Sequence, residues 1–419
     1  MKRQTTLIAL IALTAAFGLV VAACGTAGTG SGGQGGQGAV DGADAAHGLT
    51  GDPIVVADIT DITGIPGFDP SPLSKGEKAA VAYVNSRGGI GGRPLKLITC
   101  DSKLDPGASA ACGQAAIAAK AVAIVGIDNV ASNGLDEAVR KAGIISMQVP
   151  TAPQQFADPN YFPLGAGGPA EYYGLGYHVA SKGAKKVSMI VQDAAFGHTF
   201  ADQVTQAAKQ AGAETVDVTY YPPATTDFSA VAAKAAAGHP DAVIAVINGS
   251  QIPIVYGLLE QQGVPADHVY NQSGALSSAV FKAAGERSKG TYIADEFANP
   301  NDTSNPEVKI YRQAMDDAGQ SEVTDTFFAE WGFANIMFLA ELGKTLGGPK
   351  MTAAGIKNHL TTTLAAGSSK TIPVFLAAPM GPAPKKYPSL RRNSIQVLQW
   401  DGTQFTNTSG MFTAPELRP

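Results

Sequence analysis

Short apolar runs alternate with longer segments whose apolar residues recur every three or four positions. Ile54–Ile59, Leu95–Thr99, Val122–Val125 and Ile144–Val149 are brief, β-branched and nearly free of charge, the pattern of strands buried on both faces. Between them, Ser74-x-x-Glu77 reads as a capping box that opens a helix through Asn85, which Gly88-Gly89 stops. Asp105-Pro106 supplies an N-cap and a proline for the first helical position of an Ala-rich helix to about Ala119, and Asn133-x-x-Asp136 opens a third. The rhythm restarts with strands at Val187–Val191, Thr215–Tyr221, Ala242–Ile247 and Val269-Tyr270. Helices are expected over Phe200–Ala211, Phe228–Ala237 behind Asp227, and Ile254–Gln262. Two βαβ series, near 54–150 and 187–297, predict an α/β protein of two doubly wound parallel sheets. The Pro-rich segment around 154–175 suits a crossover between them. From 305 to 365 the chain turns mostly helical, and it ends with strand-like runs at Pro373–Ala377 and Ile395–Trp400. A helical tail after two α/β lobes implies that the chain returns to complete the first.

Composition narrows the class. At 419 residues the chain suits two domains, and 45% hydrophobic with 16% charged residues excludes a disordered chain, a coiled coil or a collagen. A net charge of −5 leaves no basic surplus, so nucleic acid is not an expected partner. Lys2 and Arg3 precede an uncharged apolar run, Leu7–Ala23, and then Cys24. This reads as a secretory signal. Val21-Ala22-Ala23-Cys24 resembles the bacterial lipobox, in which the cysteine becomes the lipidated N-terminus. An ordinary signal peptide or an uncleaved anchor are the other readings. Gly25–Gly38 holds eight glycines among Thr, Ser, Ala and Gln, and cannot pack a core. Gly28-x-Gly30-x-x-Gly33 matches a dinucleotide fingerprint in form only, since it follows no strand and opens no helix. The tract to about Thr50 is a tether with a reach of roughly 30 Å. Cleavage takes Lys2 and Arg3 away, moving the net charge from −5 to −7. With Cys24 lipidated, Cys100 and Cys112 remain in an oxidising space. One at a strand end and one on the next helix, they are expected to form a disulfide, with two buried thiols as the alternative.

Several stretches together resemble the type I periplasmic-binding-fold proteins of the branched-chain amino acid-binding (leucine/isoleucine/valine-binding) type, the extracytoplasmic receptors of ABC importers. The first is Gly76–Leu97, with its Asn85-Ser-Arg-Gly-Gly-Ile90 turn. Asp101 with Asp105-Pro106 follows. Then come Phe196-Gly197 after Asp193, Asp227-Phe228-Ser229, Ala284-Gly285-Glu286 with Gly290, and Trp400-Asp401-Gly402 in a closing hairpin. The likeness spans about 50–410. It implies two Rossmann-like lobes joined by three crossovers, with a solute bound in the cleft between them. Lobe 1 would comprise 51–165 with about 298–385, and lobe 2 166–297 with about 386–410. Residues 1–23 would be the signal peptide and 24–50 the lipidated tether. It further implies an extracytoplasmic, membrane-anchored monomer whose partners are a small solute and ABC permease subunits, with no cofactor and no metal.

Ligands of open parallel sheets meet the loops after the strands' carboxyl ends, where helix N-termini offer free N–H groups. The loop Gly126–Asn133 has that form. By the resemblance, Asn129, Ala131 and Ser132 there, with Pro150 and Thr151 after the fourth strand, hold a ligand carboxylate; helix capping or a turn are their structural alternatives. Phe68 in the first strand–helix loop and Phe196 from lobe 2 supply aromatic walls. Asn248, Ser250 and Gln251, after the strand at 242–247, are expected to line the far wall, with solvated loop positions as the alternative, and Asp193 and Ser273 complete the candidate ligand contacts. One position departs from the family: amino-acid-binding members carry an acid after the strand at 269–270, and here the stretch is Tyr270-Asn-Gln-Ser273-Gly274. A buried ammonium without a counter-charge is costly. Either Asp193 or Asp128 supplies the charge, or the ligand is no α-amino acid; the second is favoured. That leaves amides, short polyols and aromatic or aliphatic carboxylates.

An enzyme would show a Gly-x-Ser-x-Gly, His-Glu-x-x-His, Cys-x-x-Cys or Walker motif, and none is present; the six histidines are scattered. A ligand-sensing lipoprotein reporting to a membrane receptor is the main alternative. A structural envelope protein would bind no small molecule saturably.

Overall fold

A computed structural model describes residues 48–63, 69–128, 133–148, 150, 154–365 and 368–418. These described residues make one compact unit. Strands β1 (Ile54–Thr60), β2 (Leu95–Asp101), β3 (Ala123–Val125) and β4 (Ile145–Ser146) form a parallel sheet in the order β2-β1-β3-β4. Ile54 stands opposite Leu95, and Val56 opposite Ala123. Helices α1 (Ser71–Ser86), α2 (Pro106–Ala118) and α3 (Asn133–Lys141) connect these strands. Asp105 caps α2 as its sequence predicts, accepting the Ala108 N–H at 2.7 Å. The expected box at Ser74 does not form. The helix starts at Ser71, with a proline in its first turn, and the Ser74 hydroxyl donates instead to Asp58 at 2.6 Å. The disulfide Cys100–Cys112 staples β2 to α2, with Cα atoms 5.7 Å apart.

The chain then enters a second lobe through α4 (Gly167–Ser181). There β5 (Lys186–Gln192), α5 (Ala195–Gln210), β6 (Thr215–Tyr221), α6 (Ser229–Ala236), β7 (Ala242–Ala245), α7 (Ile252–Gln261), β8 (Val269–Asn271), α8 (Ser278–Ala284) and β9 (Tyr292–Asp295) alternate. Helices α9 (Pro306–Asp317), α10 (Phe327–Leu346) and α11 (Ala353–Thr363) follow, then a small hairpin of β10 (Ile372–Val374) and β11 (Ala377–Met380). The last elements are β12 (Gln396–Trp400) and β13 (Phe405–Asn407). The second sheet runs β13-β12-β9-β8-β7-β5-β6. The five strands from β9 to β6 are parallel, whereas the terminal hairpin adds two antiparallel strands at the opposite edge. The sheet is therefore mixed, not parallel throughout. The run at 373–377 is likewise two short strands, because the chain reverses at Leu376, which takes φ +61°.

The segment after β9 packs back on the first lobe. Helix α10 crosses α1 so closely that a Cβ on Gly76 would lie 2.1 Å from the Ala329 carbonyl oxygen, and one on Gly332 2.1 Å from that of Leu73. Only glycine fits either place. The chain thus passes between the sheets three times, near 147–166, 296–305 and 381–395.

Candidate functional site

In lobe 2 the carboxyl ends of β5, β6 and β7 are tied together. The Asp193 N–H donates to the Tyr221 carbonyl at 2.7 Å. The Tyr221 hydroxyl donates to the Val246 carbonyl at 3.1 Å and stands 3.5 Å from Gln251 Oε1, which accepts the Asn248 N–H at 2.9 Å. Asp193 and Gln251 thus belong to one polar rim. Ser250 is exposed in the turn between them and α7. Phe196, in the first turn of α5, is 50% exposed, so it is not a core ring. Such exposure of a large apolar side chain beside polar loops suits contact with a ligand. Helix α5 starts at Ala195, five residues earlier than its periodicity predicts, and this puts Phe196 on a helix beside the rim.

Ser273 follows β8 and is buried. Its N–H donates to the carboxylate of Glu171 on α4. An acid therefore stands at Ser273 after all, delivered from 102 residues upstream. Burial, and next the charge of Glu296, push the Glu171 carboxyl up to about 8, against the pull of the Ser273 N–H and hydroxyl. Asp295 is raised to about 7, chiefly by burial. Glu296 is raised by burial as well, with Arg392 opposing.

The two carboxylates nominated from sequence have other protein partners. Asp193 is more than half exposed and pairs with His198 Nε2 at 2.9 Å. Asp128 is buried and accepts the Ser109 hydroxyl of α2. Glu171 lies on a helix, outside the loops after strands to which the sequence rule applies. A signal was present: it is the only acid in the fifteen residues of α4, among Gly, Ala, Tyr, Leu and Val.

The lobe 1 rim is partly described. Gly126, at φ +106°, lies so near β1 that a Cβ would be 2.4 Å from the Ile59 carbonyl oxygen. The Ile127 N–H donates to Thr60 Oγ1 at 3.2 Å, and Asp61 accepts the Ser102 hydroxyl and the Leu104 N–H, both at 2.8 Å. The Gln148 side chain donates to the Ile59 carbonyl at 3.0 Å, and Pro150 is buried. These contacts fix the ends of β1, β3 and β4. Phe68, Asn129, Ala131, Ser132 and Thr151 lie outside the described residues.

Two surface hollows of about 300 and 210 Å³ lie between α6 and α7 and beside β5 and β6, and neither contains a candidate residue. Among the described residues no group of three metal-ligating side chains converges, and no helix is long and apolar enough to cross a membrane.

A family model described as periplasmic binding protein matches residues 53–373. Among solved structures, an extracellular ligand-binding receptor from Verminephrobacter eiseniae is similar at 20% identity and a TM-score of 0.70, over 85% of this chain and 100% of that one. An ABC transporter solute-binding protein from R. palustris in complex with 4-hydroxybenzoate is similar at 15% identity and a TM-score of 0.70, over 87% and 98%. The branched-chain amino acid transporter substrate-binding protein of Streptococcus pneumoniae, in complex with isoleucine, is similar at 15% identity and a TM-score of 0.66, over 88% and 99%. No curated protein matches the chain.

Proposed function

We infer the function from one premise: the chain belongs to the periplasmic binding protein family. That class acts outside the cytoplasm, binds small solutes, works with ABC transporter permeases and is normally non-enzymatic. Beyond the class, this chain is a lipoprotein anchored through Cys24 after removal of residues 1–23. As a monomer it captures a small polar or carboxylate-bearing solute between its lobes and delivers it to the permease.

The observation that carries this reading is the make-up of the lobe 2 rim. Half-exposed Phe196, the tied pair Asp193 and Gln251, and buried Ser273 on Glu171 all sit at carboxyl ends of parallel strands or on the helices beside them. An aromatic face with a few convergent polar groups suits a solute of amino-acid or aromatic-acid size. With its carboxyl pushed up to about 8, Glu171 is protonated near neutrality and offers a donor as well as an acceptor. That suits an amide, hydroxyl or carboxylate end directly. An ammonium end would instead have to draw off the proton.

The test is a thermal-shift screen of the full chain against leucine, isoleucine, simple amides, polyols, benzoate and 4-hydroxybenzoate. A ligand at 100 times its Kd adds about 2.7 kcal/mol, and the melting point should rise by a few degrees. A saturable shift with one class, reduced in Phe196→Ala, is expected. Silence across the panel refutes solute capture of this kind.

A further inference from the structure

The three passages between the lobes meet at one side chain. Arg392, in the third passage, is 1% exposed. Its Nη1 donates to the Leu164 carbonyl of the first passage, and its Nη2 to the Glu296 carbonyl of the second. The centre of the Phe297 ring lies 5.0 Å from the guanidinium carbon. Among the described residues no carboxylate stands at ion-pair distance from it. The first two passages are joined a second time, because the Glu296 carboxylate accepts the Ala166 N–H. Between these two links, a Cβ on Gly165 would sit 2.5 Å from the Trp331 ring and 3.0 Å from Glu296 Oε2. Trp331 belongs to α10, so the joint is pressed against the helix that packs on lobe 1.

Burying a guanidinium is costly, and the usual remedy is a carboxylate partner. Here the planar fork is given to two main-chain carbonyls from different passages. A fork held this way keeps two strands of backbone at a set separation and stops them sliding past each other. Rotation about the fork is still allowed. Hinges work by letting a few residues absorb the change in φ and ψ while the lobes move as bodies.

We propose that Arg392 is the pin of the interlobe hinge, a positioning residue that fixes the line about which the two lobes close on a solute. Its part in closing rests on the solute-binding reading; the pin itself is testable without any solute. The N–H groups of Ala166, Ala298 and Ser389 report on the three passages, since each is hydrogen-bonded within the joint or beside it.

Hydrogen–deuterium exchange followed by mass spectrometry on the solute-free full chain is the test, comparing wild type with Arg392→Met, Arg392→Lys and Gly165→Ala. Arg392→Met should speed exchange about tenfold or more, together, in peptides spanning 160–167, 293–299 and 389–395, while peptides of β1 and β5 keep their wild-type rates. Lysine should restore part of the protection, because it donates without a fork. Gly165→Ala presses on the same joint from the Trp331 side and should speed the same three peptides. Faster exchange confined to 389–395, or spread evenly over both lobes, would overturn the proposal. A silent solute panel with a positive exchange result would remove the closing role and leave the pin standing.

Discussion

Glu171→Gln tests the acid at Ser273 through stability as well as binding. The Glu171 carboxyl stands at about 8 in the folded chain against an ordinary 4.5. A raised value means that the folded chain keeps its proton while the unfolded chain gives it up. The stabilisation is therefore complete below the ordinary value and is lost as pH rises towards about 8. At ~1.4 kcal/mol per pKa unit the loss has a ceiling of roughly 5 kcal/mol. Glutamine keeps an oxygen to accept the Ser273 N–H and carries no charge towards Glu296 and Asp295. The variant should match wild type near pH ~5 and exceed it near pH ~8.5. With an unfolding entropy of ~2 cal/mol/K per residue, a chain of this size loses roughly 0.8 kcal/mol of stability per degree, so the ceiling corresponds to about 6 °C.

The assay is thermal unfolding of both full chains across that pH range. Asp295 titrates in a similar window, with its carboxyl raised to about 7, and contributes to the slope of both proteins. Only the difference between them reports on Glu171. A variant less stable than wild type by the same amount at every pH would refute the reasoning, since Glu171 would then be a neutral-state hydrogen-bonding group and nothing more. Binding adds a second readout. A solute with an ammonium end should lose affinity in Glu171→Gln, whereas one with only amide or carboxylate ends should keep it.

Four further outcomes are expected. Cys112→Ser should lower stability by about 3 kcal/mol through loss of the short closed loop, and a reductant should reproduce the loss in wild type when melting curves are compared. Gly332→Ala forces a Cβ to 2.1 Å from the Leu73 oxygen and should cost more than about 3 kcal/mol. Its control, Gly410→Ala, with nothing within 4 Å, should stay within about 0.5 kcal/mol when both glycine variants are compared by urea titration. His178 is buried between the Tyr270 and Phe412 rings, and burial lowers its pKa to about 4. Stability should fall by roughly 3 kcal/mol as pH drops from the ordinary histidine value towards 4, and His178→Gln should flatten that limb in urea midpoints. Phe196→Ala should leave the melting point unchanged and weaken any solute that wild type binds by about tenfold or more in calorimetry.

Much of the fold was legible because period and length separate its strands from its helices. Buried parallel strands such as Ile54–Thr60 and Lys186–Gln192 read as apolar runs, and Asp105-Pro106 marks a helix start by chemistry that only a helix start needs. The misreadings have physical causes. Ser74 and Glu77 have the right spacing for a cap, yet their side chains turn to the buried Asp58 of β1, a tertiary demand that local spacing does not encode. The antiparallel edge formed by β12 and β13 depends on a partner, β9, roughly a hundred residues away. Phe196, Asp193 and Gln251 were candidates in the sequence because loops after strands are where ligands meet such sheets. Glu171 was not, since a helix following a Pro-rich passage carries no such rule.

The acids at the joint belong together for a reason that strands and helices do not supply. Where the chain leaves one sheet for the other, its N–H and C=O groups lose the ladder that satisfied them, and they are buried. Side chains take over. Glu296 accepts from Ala166, Asp295 from Phe297 at 3.1 Å, Gln396 donates to the Phe297 carbonyl at 2.5 Å, and Arg392 donates to Leu164 and Glu296. An apolar joint would leave those groups orphaned. A joint closed by a β-ladder would satisfy them and forbid rotation. Polar side chains do the first without imposing the second, and they concentrate carboxylates beside Glu171, whose carboxyl burial and then the charge of Glu296 raise. The acid at Ser273 and the polar joint thus share one origin in the passages between the sheets.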